Sequence, residues 1–134
     1  MAEVYEIKNL LNEFEIKETY DLLMQQNWNI NTIYQGAQTY EDLYPHFCVF
    51  NQDQILNPYW YGFFRALFAG ANRSVKKDYN FELSSYKIKE IQINAQKNKG
   101  SYHFHDHNER WTIVGFLTPY WNEEWGGELQ VEDT

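Results

Sequence analysis

An α+β fold is expected for this chain on three observations. Helical hydrophobic spacing occurs twice before Asn80, a period of two replaces it after Asn80, and helices and strands follow one another instead of alternating. The length, 134 residues, suits one domain spanning residues 1–134.

The elements are justified in chain order. Val4-Tyr5-Glu6-Ile7-Lys8 alternates and predicts a short first strand. A helix is predicted from Glu13 to Gln26, with Asn12 as its N-cap. Its apolar stripe is Ile16, Tyr20, Leu23 and Met24, at i, i+4, i+7 and i+8. From Trp28 to Asp53 the chain is polar and aromatic without clear period. Tyr34-Gln35-Gly36 and Tyr44-Pro45-His46 read as turns or short strands. A second helix is predicted from Asn57 or Pro58 to about Ala69, with Pro58 in the first turn and Gly70 as the stop. Trp60, Phe63, Phe64, Leu67 and Phe68 give it one apolar face, suited to packing on a sheet. Ile91, Ile93 and Ala95 alternate with Gln92, Asn94 and Gln96, which predicts a half-buried strand closed by Gly100. Trp111–Leu117 reads as a strand buried on both faces and stopped at Pro119. Gly126-Gly127 is a turn signal, and Glu128–Val131 alternates again.

Composition narrows the function classes. Eleven Lys and Arg against nineteen Asp and Glu give a net charge of −8, which argues against nucleic-acid binding, since such surfaces concentrate positive charge. No run of about 18 apolar residues is present to span a bilayer, and the N-terminus lacks the basic and apolar regions of a signal peptide. A cytoplasmic protein with no membrane partner is expected. One cysteine, Cys48, excludes an internal disulfide and any multi-cysteine metal site. Its apolar flanks, Phe47 and Val49, predict an inert buried thiol. His46, after Pro45, reads as a loop histidine. Lys87, Lys89, Lys97 and Lys99 read as a solvated strand edge.

Three of the four histidines fall within five residues, in Tyr102-His103-Phe104-His105-Asp106-His107-Asn108-Glu109. Imidazole and carboxylate suit iron, manganese and zinc. In an extended segment His103, His105 and His107 share a face, and a bend at Asp106 would bring its carboxylate to the same ion. Two histidines and one carboxylate on one side of a metal leave positions open for substrate and oxygen. The candidate ligands are Asp106 with His105 or His103; His107 with Glu109 is a second pairing. Arg110 reads as a solvated side chain, although a guanidinium could clamp a carboxylate.

After this cluster come Trp111-Thr112-Ile113-Val114-Gly115-Phe116-Leu117-Thr118-Pro119 and Trp121-Asn122-Glu123-Glu124-Trp125-Gly126-Gly127-Glu128-Leu129. Over roughly residues 90–131 the chain resembles the 2-oxoglutarate/Fe(II)-dependent oxygenases, in their prolyl 4-hydroxylase-like branch. The resemblance implies a double-stranded β-helix (jelly-roll, cupin-like) with N-terminal helices packed on the sheet. It implies Fe(II) and 2-oxoglutarate as cofactor and cosubstrate, and hydroxylation of a C–H bond in a prolyl-containing peptide or a small molecule. Phe116 stands where many relatives carry a tyrosine that bonds 2-oxoglutarate. The family's second metal histidine and its basic anchor lie on later strands, whereas no His follows His107 and no Lys or Arg follows Arg110. The β-helix is therefore expected to be partial, with its C-terminal strands missing, and the chain alone to be poorly stable and inactive. The alternatives are a non-catalytic binding module on a degenerate oxygenase fold, and a cupin-like metal protein with all its ligands in residues 103–109.

Overall fold

A computed structural model describes residues 3–28, 46–95, 111–120 and 124. Among the described residues, two α-helices, a 3-10 turn and a small three-stranded sheet make the fold α+β. The elements are α1 (Glu13–Leu23), β1 (His46–Asn51), β2 (Gln54–Ile55), α2 (Pro58–Tyr79), the 3-10 turn Leu83–Ser85, and β3 (Glu90–Asn94). The chain divides into two units, Met1–Leu11 with Phe47–Ile93, and Asn12–His46 with Asn94–Thr134.

In the second unit α1 starts where expected. Asn12 accepts from the Glu15 backbone N–H at 2.8 Å, and the Glu15 carboxylate accepts from the Asn12 backbone N–H at 3.0 Å. This reciprocal box satisfies two of the donors that a helix start leaves orphaned. The helix ends at Leu23, three residues before the expected Gln26, because the chain tightens there: Gln25 N–H donates to Leu22 and Gln26 N–H to Leu23. The Trp28 indole N–H takes up the Leu23 carbonyl at 3.0 Å. The buried stripe differs from the expected one in two members. Leu23 is buried and Ile16 and Tyr20 are half-buried, but Met24 is exposed and Thr19 is buried. Thr19 tolerates burial because its hydroxyl donates to the Glu15 carbonyl at 2.7 Å.

In the first unit β1 and β2 form a hairpin, with Phe50 opposite Ile55 and Asn51 opposite Gln54. The two residues between, Gln52 and Asp53, have φ of 51° and 63°. Positive φ at both central positions is what a type I′ turn needs, and its twist matches that of the strands. The sheet order is β2-β1-β3. β3 lies where the period of two placed it, and Ile93 is its buried residue.

Helix α2 begins as expected. Asn57 caps it, accepting from the Trp60 N–H at 3.2 Å, and Pro58 occupies the first turn. Trp60 is 1% exposed and packs edge-on against Phe63. Phe50 of β1 stacks on Tyr61 at 5.3 Å between centroids, which ties the start of α2 to the sheet. The expected stop at Gly70 is corrected: α2 continues to Tyr79 and is capped by Asn80 in the left-handed region, at φ 54°. Gly70 serves packing instead. A Cβ there would stand 3.1 Å from the Leu10 side chain, so the missing side chain makes room for the N-terminal segment. Beyond Gly70, Ala71 and Val75 are buried with Leu83 of the 3-10 turn.

The expected first strand is also corrected. Residues 4–8 pair with no strand among the described residues. Their alternation is still used: Tyr5 and Ile7 pack on the Ala71–Val75–Leu83 cluster, while Val4, Glu6 and Lys8 face water. Tyr5 meets Tyr79 at 4.8 Å and Phe81 at 5.1 Å, and the Tyr79 hydroxyl donates to the Glu6 carbonyl. An alternating segment needs one apolar surface to cover, and the end of α2 supplies it.

Trp111–Leu117 is not the strand its composition predicts. These residues have no regular structure, and Ile113, Val114 and Phe116 are 56%, 49% and 65% exposed. β-propensity records a fit to neighbouring strands, and without a paired neighbour it forms nothing by itself. The expected turns at 34–36 and 44–45, Gly100, Gly126-Gly127 and the alternation over 128–131 lie outside the described residues.

Candidate metal centre

The predicted ligands His103, His105 and Asp106, the second pairing His107 and Glu109, and Arg110 all lie outside the described residues. So do Trp121, Trp125 and the Gly126-Gly127-Glu128-Leu129 turn. What the structure describes is the chain on either side: β3, ending at Asn94, and the segment from Trp111 to Tyr120. Two imidazoles and a carboxylate are borderline and hard ligands, and they fit Fe(II).

Among the described residues, no group of three or more His, Cys, Asp or Glu is placed to hold a metal ion. No helix among them is long and apolar enough to cross a membrane.

His46 is corrected from a loop position. It is the first residue of β1 and is 7% exposed. The readable signal was the run Phe47-Cys48-Val49-Phe50 directly after it, which is strand-like in composition. Cys48 on β1 is half-buried, with its sulfur 3.5 Å from the Phe50 carbonyl and 3.7 Å from that of Ile91 on β3. Burial pushes its thiol pKa up, the negative charge of Glu90 adds to this, and the Phe50 contact works against it. A raised pKa keeps the thiol protonated, in line with an inert role and opposed to a nucleophile or metal ligand.

One ion pair perturbs ionisation clearly. Lys76 on α2 lies 2.7 Å from Glu82, which precedes the 3-10 turn. The hydrogen bond and charge of Lys76 lower the Glu82 pKa, and those of Glu82 raise that of Lys76. The pair bridges α2 and the turn, and because both side chains are largely exposed its contribution is small.

No family model, curated protein or solved structure matches the chain.

Proposed function

We propose that the chain carries the metal-binding segment of an Fe(II)- and 2-oxoglutarate-dependent dioxygenase that hydroxylates a C–H bond, prolyl 4-hydroxylase-like, on a double-stranded β-helix. The observation that carries this reading is the order of motifs in the sequence: the donors His103, His105 and Asp106, then the apolar run Trp111–Leu117, then Trp125-Gly126-Gly127-Glu128-Leu129. Asp106 with His105 or His103 would hold the iron. Iron, once bound, supplies oxidation driven by O2, in which 2-oxoglutarate is decarboxylated to succinate and carbon dioxide while one oxygen atom enters the substrate C–H bond. The substrate is a prolyl-containing peptide or a small molecule, and Trp121 and Trp125 are suited to lining its entrance.

The test is succinate release from 2-oxoglutarate with Fe(II) and a prolyl peptide. It is run on this chain and on a version extended past Thr134 by its reading frame. Turnover is expected from the extended version and lost in its Asp106→Ala variant. An extended version with no downstream His and basic residue, or turnover indifferent to Asp106, overturns the reading. A second reading, a non-catalytic module on the same fold, draws on Phe116, which stands where many of the resembled enzymes carry a tyrosine that bonds 2-oxoglutarate. It predicts no binding of Mn(II) at micromolar concentration.

A further inference from the structure

The outward faces of α1 and α2 are complementary in charge and relief. On α2 the exposed residues Gly62, Ala66, Ala69 and Arg73 are spaced i, i+4, i+7 and i+11, as in the seam of a helix pair. Three of the four are small, and a Cβ placed on Gly62 would meet nothing within 4 Å, so the ridge is low and open. Tyr59 and Lys77 flank it on one side and Arg65 and Lys76 on the other, all exposed. Four basic residues on α2 stand against one acid, Asp78, in a chain whose net charge is −8. Lys76 is engaged with Glu82, and the Arg65 guanidinium lies over Phe68 at 5.6 Å. Arg73 and Lys77 form no ion pair among the described residues.

The exposed face of α1 has the opposite character. Phe14, Glu18 and Asp21 repeat the i, i+4, i+7 spacing, and Phe14 is 71% exposed. Four carboxylates on this helix, Glu13, Glu15, Glu18 and Asp21, stand against Lys17, which pairs with Asp21 at 3.1 Å. A large ring between acids matches a small-residue ridge between bases.

We propose that the chain self-associates, with α1 of one copy lying along the outer face of α2 of a second copy. Phe14 sits over the Gly62–Ala66–Ala69 ridge, and Glu18 and Asp21 face Arg73 and Lys77. The contact is limited by α1, which spans about 16 Å. A helix of that length buries less than the roughly 1,200 Å² of a stable standard-size interface, so the association is weak and sensitive to salt.

Sedimentation equilibrium of the whole chain at high micromolar concentration tests it. In low salt the apparent mass is expected to exceed that of one chain, and to return to it in 0.5 M NaCl. The pairs Arg73→Glu with Lys77→Glu, and Glu18→Arg with Asp21→Arg, should each remain monomeric. Mixed in equal amounts, the two variants should associate again. Circular dichroism confirms that both remain folded, and Phe14→Ser, at an exposed position, gives a second route to loss of association. A wild-type chain that is monomeric in low salt, variants that associate as the wild type does, or a mixture that stays monomeric overturns the proposal.

Discussion

Gln52 and Asp53 sit consecutively in the left-handed region, where a side chain costs about 1–2 kcal/mol per residue. Gln52 is exposed, so Gln52→Gly should relieve that strain without losing a buried contact. Glycine's greater freedom in the unfolded chain offsets part of the gain, leaving about 0.5–1 kcal/mol. A higher urea midpoint with an unchanged m-value checks this. Glu82 offers a test with a definite sign. Its carboxyl pKa is depressed in the folded chain, so the unfolded state binds its proton more readily. The contribution is full above the ordinary carboxylate pKa and is lost as pH falls through the lower folded value. Glu82→Gln should therefore lower stability near pH 6, and the difference from wild type should close toward pH 3. In 1 M salt it should shrink at every pH, because the pair is exposed.

Helices were the most readable elements, since caps and apolar stripes are local signals. Asn12 with Glu15, and Asn57 with Pro58, mark both helix starts in the sequence. Gly70 misled as a stop because a glycine at a helix end and a glycine under a crossing side chain look alike in sequence. The spacing of Ala71 and Val75, with Lys76 and Lys77 in the last turn and Asn80 after it, marks the true end. The hairpin went unread because its turn, Gln52-Asp53, has no glycine or asparagine, the usual markers of positive φ. Two glycine substitutions separate these roles. Gly62→Ala adds a methyl in open space and should stabilise α2 by about 1 kcal/mol. Gly70→Ala gains the same propensity but presses on Leu10 at 3.1 Å, so thermal melting should show a smaller gain. Trp60→Ala, at the buried junction of α2, should cost about 3–5 kcal/mol in urea unfolding.

For the molecule as a whole, the α+β class is legible from the two capped helices and the period of two at β3, but the expected order of helices first and strands after Asn80 is corrected, because the β1–β2 hairpin lies between α1 and α2. Trp111–Leu117 was not legible, because its strand propensity depends on neighbours that a single sequence does not place. The candidate centre is a different case. His103, His105 and Asp106 announce themselves by residue type and proximity in the chain, which suggests a metal but not a coordination geometry. The N-terminal segment shows the same dependence: its alternation is legible and predicts a strand, but Tyr5 and Ile7 instead pack half-buried on the end of α2, a surface far away in sequence that the segment alone does not reveal. The proposed iron site rests on the histidine–aspartate cluster, and anaerobic calorimetry with Fe(II) tests it most directly. One equivalent should bind at micromolar concentration to the wild-type chain, and binding should be lost in the His105→Ala, Asp106→Ala double variant. Absence of binding to the wild type, or equal binding to the variant, would contradict it.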